Sequence, residues 1–341
     1  MMAGRSPVTA AAVAIVWTLR WEVVSAKTIV VHPDGTGDLP TIQAAIDASA
    51  DGDEVVLTDG VFRGQGNYSI NFRGKGITVR SLSGDPGRCV IDCEGVSGSQ
   101  DYRFGFEFRL FEGSDSIVEG ITVTRGWYGL GGAILCYRGS PLIRNCVFED
   151  NVAWQGGAIH CQLSSAVFEN CVIVNNRATE LPGGGAFVGD ADIVFRACTF
   201  SYNESGVDPS GDRQGGGISI HANSFSTSSV ILEHCIVSHS SRGEAIFCDE
   251  RSTATISCTD IYGNAGGDWV GSIANQAGQN GNFSLDPIFC DIERGYFGLA
   301  ENSPCAPGAS LCGLIGALEV SCTTSGVMEM SWGKLKALYR P

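Results

Sequence analysis

Two short motifs recur in step through the middle of the chain, and no other feature restricts its fold as much. The first is Asn145-Cys146-Val147-Phe148. It returns as Asn170-Cys171-Val172-Ile173, Ala197-Cys198-Thr199-Phe200, His234-Cys235-Ile236-Val237 and Ser257-Cys258-Thr259-Asp260, at steps of 25, 27, 37 and 23 residues. Five residues after the first four cysteines stand Asn151, Asn176, Asn203 and Ser240, and in the last copy Asn264 follows after six. The second motif is Gly131-Gly132-Ala133-Ile134. It returns as Gly156-Gly157-Ala158-Ile159, Gly184-Gly185-Ala186-Phe187, Gly215-Gly216-Gly217-Ile218 and Gly243-Glu244-Ala245-Ile246, at steps of 25, 28, 31 and 28. Five copies of two motifs in phase are not a chance pattern.

Each repeat contains three short strand-like runs bounded by Gly or Asn, for example Ala158–Cys161, Ala166–Glu169 and Cys171–Ile173. None is long enough for a helix. Three strands and three turns in about 25 residues describe one coil of a parallel β-solenoid. Equivalent residues then lie above one another about 4.8 Å apart. Asn151, Asn176 and Asn203 would form an amide ladder at one turn. Cys146, Cys171, Cys198, Cys235 and Cys258 would point inward as small hydrophobes. A second inward column would be Cys136, Cys161, Gly189, Ile220 and Cys248. Direct stacking keeps Cβ atoms farther apart than the roughly 3.8 Å a disulfide prefers, so reduced thiols are expected in both columns. No Cys-x-x-Cys pair occurs, and no metal site or cofactor is implied by the spacing.

The ends differ from the middle. Residues 28–32 form an opening strand, and Ile42, Ala45 and Ile46 share one face of a short helix after Asp38 and Pro40. That helix would cap the open end of the solenoid, where strand edges are otherwise exposed. The repeat fades from about residue 265. Cys290, Cys305, Cys312 and Cys322 lie in this irregular end and are the disulfide candidates, with three pairings open. Residues 323–341 form a separate tail, basic from Ser331 to Arg340.

Residues 1–26 read as an export signal: Arg5, then an apolar stretch over 7–19, then the small-residue site Val24-Ser25-Ala26. The β-helix domain would then span 27–322, secreted or at the cell surface, with no transmembrane segment in the mature chain. The formal charge of −15 over 341 residues disfavours nucleic acid as a partner.

The opening Asp34-Gly35-Thr36-Gly37-Asp38, Thr41-Ile42-Gln43-Ala44-Ala45-Ile46, Gly52-Asp53, Val55-Val56-Leu57 and Gly60-Val61-Phe62 resemble the N-terminal signature of the right-handed parallel β-helix family, the pectate-lyase-like superfamily. The resemblance covers about residues 28–320 and implies an all-β, single-stranded right-handed parallel β-helix with a short N-terminal capping helix. Phe148-x-x-Asn151 before Gly156-Gly157-Ala158-Ile159, and Phe200-x-x-Asn203 before Gly215-Gly216-Gly217-Ile218, are similar to repeats of polymorphic outer-membrane proteins. That second resemblance implies surface display and adhesion, and this chain lacks the family's C-terminal barrel.

Enzyme motifs of the superfamily are not found. Arg63 and Gly64 follow Gly60-Val61-Phe62 where the pectinesterase-like pattern needs an acid, and the polygalacturonase-like segments are missing. Catalytic residues therefore stay unassigned. Position in the coil supplies a candidate ligand-binding face. Alternation along the strands turns Leu135, His160, Val188, Ser219 and Phe247 outward, and two residues later Tyr137, Gln162, Asp190, His221 and Asp249. His221 would stand between Asp190 and Asp249, one coil from each, as a sugar-binding or acid–base patch. Two functions compete on this reading. One is a non-catalytic, adhesin-like module that binds an extracellular polysaccharide or cell-surface glycan. The other is a polysaccharide lyase or glycoside hydrolase acting through His160, Asp190, His221 and Asp249.

Overall fold

The computed structural model describes residues 26–207, 211 and 214–323. The expected export signal lies outside these except for Ala26, and the basic tail except for Thr323. From Glu54 onward the chain visits a nine-stranded, an eight-stranded and a seven-stranded sheet in that order on each coil, and every pairing in these sheets is parallel. The fold is a parallel β-helix.

Stacked apolar side chains fill the interior. From the nine-stranded sheet come Ile29, Val55, Val79, Val118, Ile143, Phe168, Phe195, Leu232 and Ile256, each in register with the next. The eight-stranded sheet supplies Phe62, Ile91, Val123, Phe148, Ile173, Phe200, Val237 and Ile261. All of them are buried. Alternation with period two explains the pattern, since each inward residue is followed by one that points out. The helix Ile42–Ala48 closes the first coil with Ile42, Ala45 and Ile46 buried. Its N-cap is Thr41, just after the start signals Asp38 and Pro40, and the Thr41 hydroxyl accepts from the Ala44 N–H.

The asparagine ladder forms. Asn151 N–H donates to Asn176 Oδ1 at 3.0 Å, and Asn176 N–H donates to Asn203 Oδ1 at 3.0 Å. Each amide also donates to a carbonyl of the preceding coil: Val123, Phe148 and Ile173. Asn264 continues the ladder by accepting from Ser240 N–H, whereas the Ser240 hydroxyl finds no partner. The cysteine column also forms. Cys146, Cys171, Cys198 and Cys235 are buried and free, and each thiol points at the carbonyl two residues before it.

Two copies of the repeat are displaced by one residue from the expected alignment. In the third, Ala186, not Phe187, pairs with Ile159 and Ile218. The left-handed corner glycine there is Gly183, matching Gly131, Gly156 and Gly215. Phe187 therefore points outward, and Val188 replaces Gly189 in the inward column with Cys136, Cys161, Ile220 and Cys248. In the last copy Ile236 pairs with Asp260, so Thr259, not Cys258, stands over Cys235. Thr259 Oγ1 donates to Ser257 O, as the Cys235 thiol does to Glu233 O. Cys258 takes the left-handed corner occupied earlier by Asn145, Asn170, Ala197 and His234.

The sequence reading also missed a short fourth strand in three coils. Trp127–Leu130, Val152–Gln155 and Arg177–Ala178 form a strip between the eight- and seven-stranded sheets. On the outer surface of the nine-stranded sheet, Arg80, Glu119, Arg144, Glu169, Arg196 and Glu233 follow one another in register with alternating sign. Arg196 reaches Glu169 at 3.1 Å and Glu233 at 2.9 Å. Each exposed pair is worth only tenths of a kcal/mol to about 1 kcal/mol, but a slipped register would lose the alternation.

The irregular end folds back. Strands Phe289–Asp291, Tyr296–Ala300 and Val320–Cys322 form a small sheet, and Phe289, Phe297, Leu299 and Ile315 pack on the outward Val147, Val172, Val174 and Ile236. Two disulfides hold this segment, Cys258–Cys312 and Cys290–Cys322. Only the second lies wholly within the four expected cysteines. Cys312 bonds to Cys258 because the displaced last copy turns that side chain out of the core. Cys305 stays free and buried, its thiol 3.4 Å from Asp260 Oδ2.

Candidate functional site

The outer surface of the seven-stranded sheet carries the residues chosen from the sequence. One column runs Glu107, Leu135, His160, Phe187, Ser219, Phe247. The neighbouring column runs Tyr137, Gln162, Gly189, His221. Tyr137, His160, Gln162 and His221 thus lie where expected. Asp190 does not. The one-residue displacement puts Gly189 beside His221, and Asp190 moves to a left-handed corner. Asp249 follows the last paired residue, Cys248, which stands opposite Ile220; it therefore lies opposite His221 at the end of that column, its N–H donating to Ile220 O at 3.1 Å.

Both aspartates serve the loops beside them. Asp190 accepts from Asn223 N–H at 2.8 Å, from Asn223 Nδ2 at 2.9 Å and from the Ser226 hydroxyl. Asp249 accepts from Ala222 N–H at 2.8 Å and Arg251 N–H at 3.0 Å. Burial alone would raise both carboxyls, but these hydrogen bonds outweigh it and hold each below the usual carboxylate range. Neither is suited to protonate a leaving group near neutral pH.

The two imidazoles are built into a ring stack. His160 lies 5.0 Å from Phe187, Phe187 lies 5.3 Å from His221, and His221 lies 5.1 Å from Phe247, centroid to centroid. Interplanar angles of 18°, 21° and 32° set the rings face to face along the helix axis. Their edges, not their faces, therefore look outward. Gly189 makes this possible, because a Cβ there would come within 2.9 Å of the Phe187 ring. His160 is buried with no hydrogen-bond partner for either nitrogen. Burial, helped by the adjacent Arg109 charge, pushes its pKa down to about 3, so it is neutral and cannot serve as an acid.

Ser219 was absent from the chosen set. Its Oγ lies 2.8 Å from His221 Nε2, and His221 Nδ1 lies 3.8 Å from Asp249 Oδ2. The order hydroxyl–imidazole–carboxylate resembles a nucleophilic relay, but Ser219 is fully buried beneath the ring stack. A nucleophile must meet its substrate, and this one is covered. Among the described residues no three His, Cys, Asp or Glu side chains are arranged to hold a metal ion.

A family model described as right handed beta helix region matches residues 45–225, more than half of the chain. The chain belongs to the right-handed β-helix family. Among solved structures this β-helix is similar to pectate lyase Pel9A, with 17% identity, 77% of each chain covered and a TM-score of 0.48. It is also similar to pectin methylesterase from carrot, with 13% identity, 78% of this chain and 90% of that one covered, and a TM-score of 0.28. At these values neither likeness bears on activity. No curated protein matches the sequence. No helix among the described residues of the β-helix is long and apolar enough to cross a membrane.

Proposed function

We propose that the protein is a secreted or surface-displayed β-helix that binds an extracellular polysaccharide or cell-surface glycan and performs no chemistry on it. The observation that carries this reading is the engagement of the groups an enzyme would need. Asp190 and Asp249 hold loop backbone, His160 is buried and neutral, and His221 is packed between two phenylalanines. Glycosidase chemistry requires two facing carboxyl groups, one of them protonated. Both carboxyls here are held in the opposite direction. What the same surface offers instead is the exposed Tyr137 ring with Gln162 in register beside it, a surface suited to contact without turnover.

The test is a glycan array, plus sedimentation with insoluble polysaccharides, using the full secreted chain. Binding to at least one glycan class with no release of reducing or unsaturated ends is the expected result. Release of ends that disappears in His221→Ala would establish the lyase or hydrolase reading instead.

A further inference from the structure

One corner away from the ring stack, Trp154 of the three-stranded strip meets Tyr102 of a neighbouring loop. Trp154 and Tyr102 are 37% and 40% exposed. Trp154 pairs in register opposite Gly129, since Tyr128 pairs with Ala153 and Leu130 with Gln155. A Cβ on Gly129 would come within 3.1 Å of the Trp154 six-membered ring. The indole therefore lies against the bare backbone of the preceding coil and turns its other face outward. Tyr102, from the loop before the strand Phe106–Phe108, stands at 90° to it with ring centroids 6.1 Å apart. The two rings form an inside corner, one as floor and one as wall.

The corner is held from behind. Tyr128 packs at 83° against Tyr102, 5.4 Å away, and stacks on Phe104 at 4.5 Å. Trp127 is buried, packs edge-on to Trp154, and donates from Nε1 to Ser99 O at 2.8 Å, which ties down the loop that carries Tyr102. Aromatic side chains that are fixed from behind and open in front lose little entropy when a ligand arrives. The axial C–H groups of a pyranose ring form a weakly positive flat face that complements the negative π-face of an indole. Charge selects among pyranoses. Arg103, the residue after Tyr102, is already paired with Asp101 at 2.7 Å and lies 3.8 Å from Glu94, and the whole chain carries −15. An anionic sugar would find no unpaired partner in that loop and a repulsive field around it.

We infer that the corner between Trp154 and Tyr102 is a sugar subsite that takes an uncharged pyranose of a neutral polysaccharide, with the indole as floor and the phenol ring as wall. The inference rests on the glycan-binding reading and specifies its ligand class and its point of contact.

Wild-type protein, Trp154→Ala, Trp154→Phe, Tyr102→Ala and Gln162→Ala are compared by sedimentation with cellulose, chitin, mannan and polygalacturonate. Near- and far-ultraviolet circular dichroism checks each fold. Wild type is expected to bind at least one neutral polymer and not polygalacturonate. Trp154→Ala and Tyr102→Ala are each expected to weaken binding at least tenfold, and Trp154→Phe to recover part of it. Tyr102→Ala, in a loop, keeps the test valid if Trp154→Ala fails to fold. Binding that survives both alanine variants but falls in Gln162→Ala would overturn the inference and leave the glycan-binding reading intact, as would binding confined to polygalacturonate. Binding to no polymer by the wild type would overturn both.

Discussion

Replacing Asn176 with Ala tests whether the buried amide ladder stabilises the coil stack. Asn176 makes five side-chain contacts at hydrogen-bond distance. Its Oδ1 accepts from Asn151 N–H at 3.0 Å and from Asn151 Nδ2 at 3.1 Å. Its Nδ2 faces Phe148 O at 2.9 Å, Val174 O at 3.0 Å and Asn203 Oδ1 at 3.1 Å. The site is fully buried, so alanine strands the Asn151 N–H and removes the donor to Phe148 O with no water to replace either. A buried polar group left unsatisfied costs about 1–3 kcal/mol, and two such groups place the loss at roughly 2–6 kcal/mol. That is a large part of the roughly 5–15 kcal/mol that keeps an ordinary domain folded. Urea unfolding followed by circular dichroism and tryptophan fluorescence measures it. The two probes must coincide before a single free energy is extracted, because stacked repeats can unfold in parts. A loss below about 1 kcal/mol, with coincident probes, would refute the reasoning, since it would mean that the stranded groups find other partners. The converse change is Ser240→Asn. Its hydroxyl is an unpartnered rung between Asn203 and Asn264, and asparagine there is expected to stabilise by about 1 kcal/mol, one ordinary hydrogen bond.

Four other tests address different parts of the molecule. Glu169→Arg sets Arg144, residue 169 and Arg196 to one sign in the surface column, and a loss of about 1 kcal/mol that shrinks in high salt is expected in urea unfolding at two ionic strengths. Asp260 is buried beside Cys305, and burial pushes its carboxyl up to about 7, against about 3.9 in an unfolded chain. The folded state therefore favours the protonated form. Its contribution is complete below pH 4 and is lost as pH rises through 7, by roughly 4 kcal/mol at most. Asp260→Asn should leave thermal stability near pH 4 little changed and raise it at pH 8; equal melting temperatures at pH 8 would contradict this. Opening the Cys258–Cys312 bond, which spans 54 residues, with Cys258→Ser should cost about 4 kcal/mol by loop entropy. Cys146 and Cys198, whose thiols burial holds protonated, should resist thiol reagents until the chain unfolds.

The fold was legible because its periodic signal is carried by residues with a geometric duty. Asn151, Asn176 and Asn203 occur where a turn needs an amide, and Cys146, Cys171 and Cys198 where a small side chain is buried in the stack. The two displaced copies leave a discrepancy in the sequence itself. The cysteine step into the third copy is 27 residues, but Gly184-Gly185-Ala186 was matched at a step of 28. Two columns of one coil cannot advance by different lengths without an inserted loop. Matching Gly183-Gly184-Gly185 instead restores 27 and turns Phe187 outward. The last copy carried the same warning: Asn264 follows Cys258 by six residues but Thr259 by five. Because side chains alternate with period two, each one-residue error inverted the face assigned to that strand. This is how Asp190 entered the outward column. The Cys258–Cys312 bond was hidden for the same reason, since a cysteine assigned to the core was not available to the cap.

A stacked architecture also changes what a conspicuous residue means. In a solenoid, any side chain that recurs once per coil has a neighbour above and below, and mutual contact is sufficient reason for it. The His160–Phe187–His221–Phe247 row satisfies itself ring to ring, and the alternating arginines and glutamates satisfy themselves charge to charge. Neither needs a ligand. A contact surface is better sought where the column is interrupted and a side chain has no successor to stack on. Trp154 meets this condition. It stands opposite Gly129 on one side, and on the other the next coil continues past Arg177–Ala178 with Thr179, whose N–H donates to Ala153 O, so no ring succeeds the indole in the column. The indole thus marks a break in the column of like side chains, and the departure from periodicity carries more functional information here than the periodicity itself.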